Sequence, residues 1–456
     1  MSIFQEKKVI TRMAPSPTGH LHIGTARTAI FNYLFARKHN GTFILRTEDT
    51  DKERSKKEFE DEITDGLAWL GIKWDSFYRQ SERTLIYTGY LNTTIEKGSA
   101  YVSKEESKMR PGEMVEVVRL KNPNKVISFT DEIRGEISFD TTELGDFVIA
   151  RSITDPLYHF TVVVDDHEME VTHVIRGEDH ISNTPRQILI QEAIGALRPQ
   201  YAHLPLILAP DRSKLSKRHG AVMLSDYKHQ GFIQPALINY LTLLGWNPGT
   251  DQEFFTLDEL INAFDLSGVQ KGGAIFDVEK LKWFNKEHVS GFSDTDYYDY
   301  VTKYITPALL ALPQFSTDRL LRLLPTIKER TAAGAEITLE CEKGEYDFAF
   351  QTPKIEPQMV KWKNDASPKV TLQRLQKLAE IISLMDESFS IDEIKNRIWG
   401  YATDAGKGEV LWPLRVSLTG KERSPDPFTV IHIIGPSEAY TRIKRACDTI
   451  LSDSLA

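Results

Sequence analysis

Lys8-Val9-Ile10-Thr11-Arg12-Met13-Ala14-Pro15-Ser16-Pro17-Thr18-Gly19-His20-Leu21-His22-Ile23-Gly24-Thr25 is the stretch on which the reading of this chain turns. Residues 8–14 predict a short strand. Pro15 and Pro17 then fix φ and remove two amide donors, which forces an extended, non-helical turn. A helix is expected from about Thr25, with Ala26, Ala29, Ile30, Tyr33 and Leu34 at helical spacing, and Asn40-Gly41 stops it. The returning strand, 42–46, runs into the acidic segment Glu48-Asp49-Thr50-Asp51. This is a βαβ unit of an open α/β sheet, whose ligands sit at the carboxyl ends of the strands, where 15–25 and 48–51 both fall.

Working outward, Phe59, Ile63, Leu67 and Leu70 form the apolar stripe of a second helix that ends at Gly71. Between 100 and 151 short alternating runs such as Val115-Glu116-Val117-Val118-Arg119-Leu120 predict a small β-rich insertion. Strand-like runs at 160–164 and 171–175 return the chain to the sheet, and 183–196 is helical with Pro185 in its first turn. A further strand-like run, 204–208, leads to the basic segment Lys214-Leu215-Ser216-Lys217-Arg218. Beyond Gly220 the pattern is mostly helical to the end. Residues 232–244 carry an apolar stripe, closed by the turn Trp246-Asn247-Pro248-Gly249. Pro307, Pro313 and Pro325, with Ser316-Thr317-Asp318-Arg319 among them, read as a joint between two helical units.

The bulk properties exclude several classes. A chain of 456 residues exceeds what one core supports, so roughly two to four domains are expected. The opening residues do not read as a signal peptide, and no stretch approaches the roughly 18 continuous apolar residues of a membrane span. Two cysteines, Cys341 and Cys447, fit a reducing compartment and build no disulfide framework. A formal charge of −9 disfavours indiscriminate nucleic-acid binding, while a local basic face stays compatible with an RNA partner. There is no Gly-x₄-Gly-Lys-Ser/Thr phosphate loop and no His-Glu-x-x-His metal motif.

The first segment has the chemistry of a phosphate site. Gly19 and Gly24 let backbone approach a ligand, and the following helix aims its amide end at negative charge. His20 and His22 can donate to phosphate oxygens. Taken with Lys214-Leu215-Ser216-Lys217-Arg218, which His219-Gly220-Ala221 follows directly, the segment resembles the HIGH and KMSKS signatures of class I aminoacyl-tRNA synthetases. The surrounding residues narrow the resemblance to bacterial-type glutamyl-tRNA synthetases. It covers essentially the whole chain, most densely at 9–55, 156–222 and 408–427, where Gly408 to Gly420 resembles part of the helical anticodon-binding region.

The resemblance implies an α/β fold: a Rossmann-like catalytic domain in two halves, 1–100 and 153–222, split by a shortened acceptor-binding insertion, 101–152. A helical stem-contact domain (223–312) and a helical anticodon-binding domain (313–456) follow. The implied reaction is ATP-dependent activation of L-glutamate to glutamyl-adenylate, then transfer to tRNA(Glu), with tRNA(Gln) open as a second acceptor and a non-catalytic tRNA-binding relative as the alternative. His22, Lys214 and Lys217 carry catalysis in this reading. ATP is met by Pro15, Thr18, Gly19, His20, His22, Gly24, Thr25, Asp179, Lys214 and Lys217, and glutamate by Arg12, Ala14, Ser16, Glu48, Tyr158 and Arg176. The two arginines suit a side-chain carboxylate and Glu48 the α-ammonium. Mg²⁺ is expected with the nucleotide, in a cytoplasmic monomer.

The sequence also departs from its family. Val162 and His180 stand where some relatives carry asparagine and tryptophan. Residues 101–151 hold no cysteine or histidine, so the zinc cluster of many bacterial members is not expected. In the helical tail, Lys361-Trp362-Lys363 and Arg442-Ile443-Lys444-Arg445 are basic or aromatic spots that fit RNA phosphates and bases and fit a solvated helix face equally well.

Overall fold

The computed structural model describes residues 8–106, 111–362, 365 and 367–455, with side chains as far as Ser452. They pack as two compact units, Met1–Phe284 and Asn285–Ala456.

The first unit is built on parallel strands. β1 (Ile10–Met13) leads to helix α1 (Ile23–Lys38) and β2 (Thr42–Thr47), which pairs with β1 in parallel, Arg12 opposite Ile44. Helix α2 (Lys57–Trp69) then returns the chain to β3 (Ser76–Arg79), parallel to β2. On the other side of β1 lies β10 (His173–Gly177), joined where the Thr172 amide donates to the Ile10 carbonyl at 3.0 Å. Helix α5 (Thr184–Ile194) connects β10 to its parallel neighbour β11 (Gln200–Leu204). From β1 the chain therefore winds outward in one direction, and from β10 in the other. The crevice between their carboxyl ends is a topological switch point, the ligand position of a doubly wound sheet.

Three local readings are corrected. The first helix starts at Ile23, two residues before Thr25, because His22 caps it: the Gly24 amide donates to His22 Nδ1 at 3.0 Å. Residues 160–164 are not a strand but part of helix α4 (Tyr158–Glu168), buried from Phe160 through Asp166. A short apolar run buried on all sides has no period that separates strand from helix. The 204–208 run is broken by Pro205 into β11 and β12 (Ile207–Leu208), which pairs in parallel with β13 (Ala274–Ile275).

The stretch after α3 (Thr84–Glu96) is β-rich, as expected. β4 (Ala100–Glu106), β5 (Met114–Leu120), β8 (Phe147–Ser152) and β9 (Asp155–Pro156) make an antiparallel sheet. The hairpin β6 (Val126–Asp131) and β7 (Gly135–Asp140) departs from a self-contained insertion. Asp131 pairs in parallel with Tyr201, so the hairpin extends the sheet of β10 and β11.

The second unit is helical among its described residues. Pro325 falls inside the helix Thr317–Arg330, on its exposed side, so the proline-marked joint does not interrupt the chain there. Arg442, in a basic spot expected to face RNA or solvent, is fully buried. Its guanidinium donates to the carbonyls of Phe348, Leu418 and Gln351 and pairs with Glu438 at 2.8 Å. Trp362 packs edge-on against Trp412, and Lys363 lies outside the described residues.

Candidate active site

A cavity of about 480 Å³ opens at the switch point. Of the residues singled out in the sequence, Arg12, Ala14, Pro15, Ser16, His22, Gly24, Thr25, Glu48, Tyr158, Arg176, Asp179 and Lys214 line it; Thr18, Gly19, His20 and Lys217 do not. The extended turn is held by neighbouring backbone, since the Glu48 amide donates to the Pro15 carbonyl and the Lys56 amide to that of Pro17, both at 3.0 Å.

At one end stands His22. Because its Nδ1 accepts the Gly24 amide, the neutral ring carries its proton on Nε2, and burial, with the Lys214 charge second, holds its pKa below the ordinary imidazole value. His22 is thus a neutral Nε2–H donor that also caps α1. The helix offers phosphate less than its sequence suggests, since the Ile23 amide is taken by the Val222 carbonyl at 3.0 Å. That bond, with Leu224 amide to Leu21 carbonyl at 2.9 Å, stitches the first signature segment to the residues just after the lysine loop. His20 points elsewhere: it is exposed and pairs with Glu62 beside Phe59. A Cβ on Gly19 would meet open space, so packing does not require glycine there. At Gly177, by contrast, a Cβ would lie 2.5 Å from Oδ1 of Asp179.

At the other end lies a buried ion network. Arg12 pairs with Asp166 at 3.2 Å; Arg46 contacts Asp166 at 2.8 Å, Glu48 at 3.0 Å and Asp165 at 3.6 Å; Arg83 closes on Asp165 at 2.7 Å. Three arginines thus balance three carboxylates. Burial works against the Arg46 charge, but Asp166, Glu48 and Asp165 raise its pKa. Burial pushes the Glu48 carboxyl up to about 7, with Arg46 pulling the other way.

Arg176 stands outside this balance. It is buried, and among the described residues no carboxylate forms an ion pair with it. Instead its Nε donates to His203 Nε2 at 3.1 Å and its Nη2 to Thr184 Oγ1 at 2.8 Å, and burial lowers its pKa. A buried cation lacking an anion is an arrangement that an incoming carboxylate completes. Tyr158 and His180 face the same space, Oη to Nδ1 at 3.3 Å. Val162 is buried in α4 and does not line the cavity, whereas His180 does.

Sequence reasoning missed Arg27, Asp131, Asp165, Asp166 and His203. Arg27 lines the cavity and donates to the carbonyls of Leu244, at 3.0 Å, and Pro205; burial lowers its pKa to about 10. None of these lies in a short motif. The one available signal was the acidic pair Asp165-Asp166 closing an apolar run. Lys217 is exposed, in the turn Lys217–His219 that Ser216 and His219 brace.

Switch-point sheet, cavity and paired signature segments define the catalytic domain of a class I aminoacyl-tRNA synthetase. Residues 8–114 and 103–283 match the catalytic domain of the class I tRNA synthetases (E and Q), and 297–447 match the anticodon binding domain. The glutamate–tRNA ligase of Carboxydothermus hydrogenoformans is 40% identical over 489 residues, spanning 95% of this chain and 99% of that protein. That of Aquifex aeolicus is 51% identical over 316 residues, 62% of this chain and 67% of its own. A crystal structure of a glutamate tRNA ligase from Elizabethkingia meningosepticum, in complex with its amino acid, aligns with a TM-score of 0.86 at 33% identity over 97% of this chain and 100% of that one. The chain belongs to the glutamate–tRNA ligase family. No helix among the described residues is long and apolar enough to cross a membrane.

Proposed function

We propose that the cavity binds ATP and L-glutamate and joins them to glutamyl-adenylate, which then charges tRNA(Glu). The observation that carries this reading is Arg176, a buried guanidinium without a carboxylate partner, lining the same cavity as Glu48. The glutamate side-chain carboxylate supplies the missing anion, and Glu48, held by Arg46 through Oε1, receives the α-ammonium with its other carboxylate oxygen. Arg12 acts by shaping the floor, since Asp166 already neutralises it.

In activation, an α-carboxylate oxygen of glutamate attacks the α-phosphorus of ATP, and the bond to the bridging oxygen breaks to release pyrophosphate. Charge shifts onto phosphate oxygens, where the His22 Nε2–H donates and Lys214 adds positive charge. In transfer, a terminal adenosine hydroxyl of tRNA attacks the activated carbonyl and AMP leaves. The protein supplies position and charge and no nucleophile. Mg²⁺ enters with the nucleotide, whose triphosphate oxygens are its natural ligands, and no residue is assigned to it. Lys217 acts once its loop moves toward the phosphates. Pro15, Gly24, Thr25 and Asp179 are read as nucleotide contacts, Ala14, Ser16 and Tyr158 as glutamate contacts; Thr18, Gly19 and His20 lie outside the cavity lining. Hairpin and strands of 101–152 face the acceptor end and the helical unit the anticodon, in a cytoplasmic monomer.

Aminoacylation with labelled glutamate, ATP and Mg²⁺, on tRNA(Glu) and tRNA(Gln) separately, tests the reading. Charging of tRNA(Glu) alone supports a discriminating enzyme, and charging of both a non-discriminating one. Charging of neither refutes the catalytic reading.

A further inference from the structure

Asp131 ends β6, in the hairpin assigned above to the insertion, yet its side chain reaches into the catalytic sheet. It is buried, and its carboxylate is surrounded by donors. Oδ1 accepts the amides of Ile133 at 3.0 Å and Arg134 at 2.9 Å, and Oδ2 accepts the His203 amide at 3.1 Å and the His203 ring Nδ1 at 2.6 Å. His203 is itself fully buried. A carboxylate with no proton of its own requires the ring to carry its hydrogen on Nδ1, which leaves the Nε2 lone pair for the Arg176 Nε–H at 3.1 Å. Thr184 Oγ1 fastens Nη2 at 2.8 Å, and the Tyr201 ring lies against the guanidinium, 5.8 Å from its centroid. Nε and one Nη2 hydrogen are thereby fixed, which leaves Nη1 and the second Nη2 hydrogen, met only by the His180 carbonyl at 3.5 Å, as the fork for substrate.

We propose that Asp131 and His203 are positioning residues for glutamate binding: Asp131 sets the His203 tautomer, and His203 holds the Arg176 fork in the orientation that receives the side-chain carboxylate. This rests on the reading of the cavity as a glutamate site. The insertion hairpin thus completes the amino-acid pocket as well as lengthening the sheet.

The rival account is that Asp131 and His203 only pin the hairpin to β11. Two amide substitutions separate the accounts, because an asparagine amide occupies the place of Nδ1 and a glutamine amide that of Nε2. His203→Asn keeps the partner of Asp131 and loses the acceptor for Arg176. His203→Gln does the reverse. Positioning predicts a KM for glutamate raised on the order of 10–100-fold in His203→Asn and by only a few-fold in His203→Gln, the scale of lost orienting partners elsewhere. The KM for ATP stays unchanged in both. Asp131→Asn keeps an oxygen for the Ile133 and Arg134 amides and turns its NH2 group on His203, which moves the ring hydrogen to Nε2, against the Arg176 Nε–H, and raises the glutamate KM like His203→Asn. Combining it with His203→Gln costs nothing further, since that variant no longer needs a fixed tautomer.

The experiment is steady-state aminoacylation of tRNA(Glu) over a range of glutamate and of ATP, with thermal melting of each variant. A His203→Asn enzyme as good as His203→Gln in glutamate KM, or a parallel rise in the KM for ATP, overturns the proposal while wild type still charges glutamate. A wild-type enzyme that charges no glutamate overturns the site reading and the proposal with it.

Discussion

Arg176→Met separates recognition from stability. Arg176 and Arg12 are both buried arginines lining one cavity, but only Arg12 has a carboxylate, Asp166 at 3.2 Å. Methionine keeps much of the volume of Arg176 and removes its charge. Against glutamate, the loss is two charge-assisted hydrogen bonds at about 1.5–3 kcal/mol each, roughly 3–6 kcal/mol together. At about 1.4 kcal/mol per factor of ten, that is on the order of 10²–10⁴ in kcat/KM for glutamate. The unliganded fold responds differently. The variant forfeits the bonds to His203 and Thr184, but it also relieves the desolvation of a cation without an anion, so folding stability is expected to stay within about 2 kcal/mol of wild type. Arg12→Met is the converse case, because it strips Asp166 of one of its two arginines and costs about 3–5 kcal/mol of stability. Urea unfolding and aminoacylation kinetics on the same preparations read both quantities. An Arg176→Met enzyme with near-normal glutamate kinetics, or one as unstable as Arg12→Met, refutes the assignment of Arg176 as the substrate's partner.

Glu48 has its carboxyl raised by burial to about 7, so it takes up a proton as pH falls through that value and can no longer pair with the α-ammonium. The glutamate KM is therefore expected to climb close to tenfold per pH unit below about 7 and to be flat above it, whereas Glu48→Gln gives a high KM at all pH; a flat wild-type profile contradicts the role. Lys214→Ala, at the cavity wall beside His22, should raise the KM for ATP, while Lys217→Ala, on the exposed turn, should lower kcat by about 10²–10³ with little change in KM; steady-state kinetics in ATP decide. Arg442→Met should destabilise the helical unit by about 3–5 kcal/mol, visible in calorimetry, because it strands the buried carbonyls of Phe348 and Leu418 and leaves Glu438 with the neutral donors Gln314 and Thr352 in place of its cation.

What the chain reveals by itself is local. Prolines 15 and 17, the helix after them and the strand at 42–46 announce the βαβ unit, because φ restriction and side-chain periodicity act over a few residues. The same locality made Arg12, His22, Glu48, Tyr158, Arg176 and Lys214 legible, since each sits in or beside a recognisable motif, and all of them line one cavity. Tertiary structure decided what those side chains are free to do. Arg12 and Arg176 read alike in sequence, yet Asp166, 154 residues on, neutralises one and no carboxylate among the described residues neutralises the other. His20 and His22 also read alike, but only His22 turns inward to cap α1, while His20 meets Glu62. The same holds for residues 160–164, whose apolar run fits strand and helix equally until Asp165 and Asp166 meet Arg46 and Arg83. Charge compensation depends on partners brought together by folding. Sequence reveals a group's chemistry, and only the folded neighbourhood fixes whether that chemistry is already spent.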